Sequence, residues 1–132
     1  MINVLINCDS RYPANRKIIR EAVVSTLTKN GLGGSSVEVS VAVVGERKMR
    51  EICQKYFKDN EKHEVVSFPF EDVTNSSEGF ATPQDEILRL GDVIICWPWV
   101  LKAASEDDVM VDVEVADLVA HGVEHLIGKH HE

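Results

Sequence analysis

The sequence lacks the marks of a secreted or membrane-spanning chain. Its three cysteines, Cys8, Cys53 and Cys96, are odd in number and show no C-x-x-C spacing. That pattern offers neither a disulfide framework nor a cysteine zinc site, and leaves thiols that pack as small hydrophobes. No apolar run approaches the roughly 18 residues needed to cross a bilayer. The opening stretch MINVLINCDS has no basic segment, and its apolar stretch is too short for a secretory signal. The expected compartment is therefore the cytoplasm. Positive charge is also scarce: 14 Lys and Arg face 22 Asp and Glu, a net charge of −8. That argues against a broad, sequence-independent nucleic-acid binder, because phosphate contacts need Lys and Arg. A local basic groove is still allowed. No internal repeat, low-complexity tract or domain boundary stands out. With 132 residues, 44% of them hydrophobic and 27% charged, the chain reads as a single domain, 1–132, able to bury a core.

The charge that is present is unevenly spread. Basic residues come early: Arg11, Arg16, Lys17 and Arg20, then Arg47, Lys48, Arg50, Lys55, Lys58 and Lys62. Acid gathers later, in SEDDVMVDVEVAD. Solvated helix faces are the plain reading of both basic clusters.

Hydrophobic spacing predicts the elements. INVLINC is rich in β-formers and reads as a first strand. NRKIIREAVVSTLTKNGL has helical spacing, with Pro13 ahead of it and NGLGG as a stop. VEVSVAVVG alternates and then turns wholly apolar, as a strand does on entering a core. ERKMREICQKYF is helical again, with Met49, Ile52, Cys53 and Tyr56 on one face. HEVVSFPF is a strand ended by Pro69. The polar stretch from Glu71 to Glu86 reads as a long loop. LRLGDVIICWPWV contains a strand at Asp92–Cys96, and Pro98 stops it or starts the next element. LKAASEDDV reads as a short helix. VDVEVADLVAHGVEHLIG is the last helix, with Val115, Leu118, Val119, Val123 and Leu126 as its apolar face and Gly128 as its end. Together these predict an α/β (α+β) domain, a small mixed sheet of about four strands with helices packed on it. Trp97 and Trp99 are a candidate contact surface, with burial the favoured reading for at least one.

The histidines are the chemical signal. Four of the five, His121, His125, His130 and His131, fall in the last twelve residues. His121 and His125 are four apart on the last helix, so they share a face one turn apart. Gly128 can take a positive φ, break the helix and turn the chain back. His131 or His130 then offers a third nitrogen, and register alone does not choose between them. The pattern H-x3-H-x2-G-x2-H leaves a tetrahedral ion one open position, as in catalytic zinc sites. Metzincin proteases share this spacing but carry Glu directly after the first His. Gly122 stands there instead, which argues against a protease. Glu124 reads as a solvated helix residue.

The tail HGVEHLIGKHH resembles the signature of the YbeY-type endoribonucleases, H-G-x-L-H-L-x-G-x-D-H, at His121, Gly122, His125, Leu126, Gly128 and His131. It departs at Glu124, where the family is apolar, and at His130, where it has Asp. EVVSFPF, from Glu64 to Phe70, is similar to the family's T-D-V-L-S-F-P-F strand. LGDVIIC, from Leu90 to Cys96, resembles L-G-D-I-x-I-x. The resemblance thus covers most of the chain, in the family's order. It favours His131 as the third ligand. It implies a zinc-dependent, single-strand-specific endoribonuclease with one ion per chain, held by His121, His125 and His131. Single-stranded RNA, chiefly ribosomal RNA in end maturation and ribosome quality control, would be the substrate, and ribosomal subunit proteins possible partners.

Two departures bear on that expectation. The family's Tyr-Arg pair falls on Tyr56 and Phe57, and a phenylalanine cannot bind phosphate. Lys58, next in line, offers a point charge rather than a fork. The family's K-D-x-P-T-D reads DNEKHE, with His63 at the Thr position, as a surface or cleft-lining residue. Arg50, Lys58 and Lys62 are candidates to guide RNA, and Ser67 to hydrogen-bond a phosphate or the attacking water. No residue stands out as general base. Attack by water and attack by a ribose 2′-OH both remain open. The acidic charge and Phe57 motivate a rival reading, a non-catalytic ribosome-assembly factor, and a second rival is a metal hydrolase of another substrate.

Overall fold

In a computed structural model, residues 1–58, 62–70 and 87–128 are described. They form eight elements: β1 (Ile2–Cys8), α1 (Arg16–Lys29), β2 (Val37–Val44), α2 (Glu46–Tyr56), β3 (Val65–Pro69), β4 (Leu88–Cys96), α3 (Trp97–Asp107) and α4 (Val111–Leu126). The long loop expected over Glu71–Glu86 lies outside the described residues, as do His130 and His131.

Local chemistry sets the boundaries. The Asn15 side chain accepts from the Lys17 and Ile18 backbone N–H groups and caps α1. Gly31, at φ 83°, follows that helix. Pro98 lies in the first turn of α3, where its missing N–H costs nothing. That helix therefore begins at Trp97, earlier than the expected stretch at Leu101.

The sheet is mixed and has four strands in the order β1-β2-β4-β3. β1 with β2 and β2 with β4 are parallel, and β3 runs antiparallel to β4 at one edge. β4 is longer than the expected Asp92–Cys96, and the reason is a bulge. Glu38 pairs with Arg89 and Val39 with Gly91, so Leu90 is the extra residue. Gly91 sits at φ 145°, where a Cβ would lie 2.9 Å from Pro69 Cα and 2.8 Å from Leu126 Cδ2. Only glycine carries the strand through that point.

The sheet has two unequal faces. One is covered by α1 and α4 over a core of Val37, Val39, Val41, Val43, Val93 and Ile95, with Ile19, Val23, Leu27, Val119 and Val123 from the helices. Each such side chain, fully buried, contributes about 1.5–3 kcal/mol. The other face carries a smaller cluster of Met49, Cys53, Val66, Cys96 and Trp99. Trp97 and Trp99 are both buried, so neither supplies a contact surface. Burial pushes the Cys96 thiol up to about 11, and at neutral pH it is an inert packing group. Among the described residues no helix is long and apolar enough to cross a membrane.

Candidate functional site

Helix α4 is the backbone of the site. Val115, Val119, Val123 and Leu126 face the core, and Gly122 is buried with them. A Cβ on Gly122 would stand 2.8 Å from Val93 Cγ1 and 3.1 Å from Cγ2. The glycine therefore lets α4 lie close on β4. His121 and His125 flank that contact on the exposed side of the helix. Their ring centroids are 5.8 Å apart, the same-face pairing that i, i+4 spacing predicts. Gly128, at φ 81°, follows the last turn, as expected of a glycine that ends a helix. Asp112 and Glu114 in the first turn suit the positive end of the helix dipole. Burial raises the Glu114 carboxyl, and the carboxylates of Asp107, Asp117 and Glu64 add to the shift.

The histidine pair opens onto a cleft of about 310 Å³ at the β3 edge of the sheet. Its lining is Phe57, His63, Val65, Val66, Ser67, His121, Gly122 and His125. Ser67 thus joins the histidines, and His63 is cleft-lining. The other RNA-guiding candidates are not brought into the lining. Lys58 lies beside it, one residue past Phe57. Lys62 lines a separate recess with Glu64, Trp99 and Lys102. Arg50 lies over the Trp99 ring, 5.5 Å from its centroid, and pairs with Glu46 at 3.5 Å. Among the described residues the cleft lining contains no carboxylate, so no acidic general base emerges there.

Two features of the cleft escaped the reading of the sequence. Gly122 served there only to argue against a protease, although a glycine inside an apolar helix pattern is itself a sign of close packing. The second is an aromatic group. Phe57 stacks on Phe68 with centroids 5.7 Å apart and planes 14° apart. His63 lies 5.8 Å from Phe57, and Tyr56 lies 5.0 Å from Phe68. No periodicity joins residues 56–57, 63 and 68; the fold alone gathers them.

Comparison with known proteins decides what surrounds this cleft. The family described as Endoribonuclease YbeY matches residues 6–132. The chain belongs to the Endoribonuclease YbeY family. It is 31% identical to the Endoribonuclease YbeY of Dehalococcoides mccartyi strain BAV1 over 137 aligned positions, covering 99% of this chain and 84% of that protein. It is 33% identical to the Endoribonuclease YbeY of Caldicellulosiruptor bescii, across 87% of this chain and 73% of that one. The solution structure of TM1509 from Thermotoga maritima superposes with a TM-score of 0.58 at 22% identity, over 100% of this chain and 75% of that one, and so shares its fold. Membership of the YbeY family places the histidine signature in a family named for cutting RNA.

The donor set suits a zinc ion as far as the described residues reach. Two imidazoles sit one turn apart on an exposed helix face and open into a cleft. Among the described residues no group of three metal-binding side chains is gathered. The third expected ligand, His131, lies outside them.

Proposed function

We propose that this chain is a zinc-dependent, single-strand-specific endoribonuclease. Its substrate is ribosomal RNA, its setting the cytoplasm, and its tasks the maturation of RNA ends and ribosome quality control. The observation that carries the reading is the His121–His125 pair at the mouth of a cleft, in a chain of an endoribonuclease family. His121, His125 and His131 hold one zinc ion. When bound, zinc supplies Lewis-acid activation of water and polarisation of a phosphoryl oxygen.

The chain's own residues do the rest. The strand-borne Ser67 hydroxyl, in the cleft wall, donates a hydrogen bond to a phosphate oxygen. Val65, Val66 and Phe57 exclude bulk water, which strengthens every polar contact inside. Lys58, Lys62 and Arg50 are exposed on neighbouring surface and draw the RNA backbone by longer-range attraction. The cleft at a sheet edge admits a single strand whose bases are splayed, as single-strand recognition requires.

The test is metal content and cleavage of single-stranded RNA by the purified protein and its His125→Ala variant. The wild type is expected to carry about one zinc per chain and to cut RNA, and the variant to lose both the metal and at least about a hundredfold in rate. A wild type that takes up no metal overturns the zinc reading. A metal-loaded wild type that binds ribosomal subunits yet leaves RNA intact overturns catalysis in favour of an assembly factor.

A further inference from the structure

The cleft holds little positive charge and much aromatic surface. Phe57 stands at the position where the YbeY pattern has arginine, and its ring cannot bind phosphate. It is 44% exposed although it lines the cleft. Exposed apolar rings at a cleft mouth invite an explanation, because burying them would be favourable.

Its placement is fixed by the end of α2. The Phe57 N–H donates to the Cys53 carbonyl at 2.8 Å, and the Lys58 N–H donates to the same oxygen at 2.9 Å. Lys58 takes φ 54°, a left-handed conformation rare outside glycine and costly for a lysine. The chain therefore turns sharply straight after the ring. From below, Phe68 supports Phe57 in a near-parallel stack, with planes 14° apart. His63 stands beside it as a second planar group in the cleft lining. Such an arrangement of flat, supported, partly exposed rings is what sequence-tolerant single-strand binding uses, since every base has a π-face.

We infer that Phe57, backed by Phe68 and flanked by His63, is a base-stacking platform. It holds one unpaired nucleobase of single-stranded RNA beside the His121–His125 pair. This rests on the endoribonuclease reading and names how that site grips its substrate: by a base, where an arginine would grip the backbone. Two consequences distinguish the modes. Stacking makes binding depend on the presence of a base at one position. It also leaves one phosphate contact fewer, so affinity falls less steeply with salt, by about 0.7 in the slope of log K against log[salt].

The experiment uses the full zinc-loaded chain and a short defined single-stranded RNA, with a series of counterparts carrying one abasic position each. For the wild type, one abasic position is expected to raise KM about tenfold with little change in kcat. Phe57→Leu, checked for fold by its thermal transition, is expected to raise KM about tenfold on intact RNA and to abolish the abasic penalty. Phe57→Trp retains the wild-type KM. Phe57→Arg recovers affinity without the abasic penalty and steepens the salt slope by about 0.7. A Phe57→Leu protein with wild-type KM, or one that keeps the abasic penalty, overturns the platform while leaving the endoribonuclease reading standing. A wild type that neither binds nor cuts single strands overturns that reading, and the platform with it.

Discussion

The two faces of the sheet are built from different materials. Beneath α1 and α4 the contacts are almost all Val, Ile and Leu, many of them fully buried. Beneath α2 they are Met49, Cys53, Val66, Cys96 and Trp99, with half-buried Val44, Ile52, Phe68 and Ile94 at the margin. Branched aliphatic side chains interlock with few alternatives, whereas Met adapts to irregular gaps. The cleft draws on both faces. Its histidines ride on a helix clamped to the aliphatic side, and its aromatic wall hangs from the end of a helix on the softer side. Metal ligands tolerate little displacement, while a stacking ring tolerates some. The division of materials matches that difference in tolerance.

Substitutions can break or sharpen this contrast. The largest effect is expected at Gly91, which couples the faces by carrying β4 past both Pro69 and Leu126. Gly91→Ala meets backbone atoms and a disallowed φ together, and should cost about 3 kcal/mol or more. Urea denaturation reads it directly, and a midpoint close to wild type would show the bulge to be pliable. On the aliphatic face, Gly122→Ala gains helix propensity but drives its methyl into Val93. The net loss should be about 1–2 kcal/mol. Trimming the obstacle in the double variant with Val93→Ala should make the Gly122→Ala step nearly neutral or better. If both backgrounds respond alike, the close approach of α4 to β4 is not what the glycine provides. The smallest effect belongs to the softer side. Lys58→Gly relieves the left-handed strain at the end of α2 and should add about 1 kcal/mol, seen as a modest rise in the thermal midpoint. An unchanged or lower midpoint would mean that the lysine's own contacts outweigh that strain.

The elements were legible in the sequence because each carries its own period. Alternation marks β2, and three- and four-residue spacing marks α1, α2 and α4. The histidine pair was legible for the same reason, since i, i+4 spacing fixes a helix face without tertiary information. Two boundaries were not. The start of β4 is hidden by a bulge, which breaks alternation at Leu90 and Gly91. The start of α3 is hidden by Pro98, which can end one element or open another. The aromatic wall was illegible for a deeper reason: Tyr56, Phe57, His63 and Phe68 come from separate elements and connections, and only tertiary packing gathers them. Where the guiding charges sit was not legible either. Arg50 and Lys62, candidates to guide RNA, lie over and beside Trp99 rather than in the cleft lining.

The sheet order also dictates when this protein can fold. Among the described residues β4 is the sole partner of β3 and joins it to β2, yet it follows both in the chain. Val37 pairs with Leu88, a contact across more than a third of the sequence. During synthesis β1, α1 and β2 can assemble early, but among the described residues β3 pairs only with β4, which follows it in the chain. The aliphatic face stays open longer still, until α4 arrives. The histidine pair is thus positioned by a helix that emerges only after the sheet beneath it has been completed.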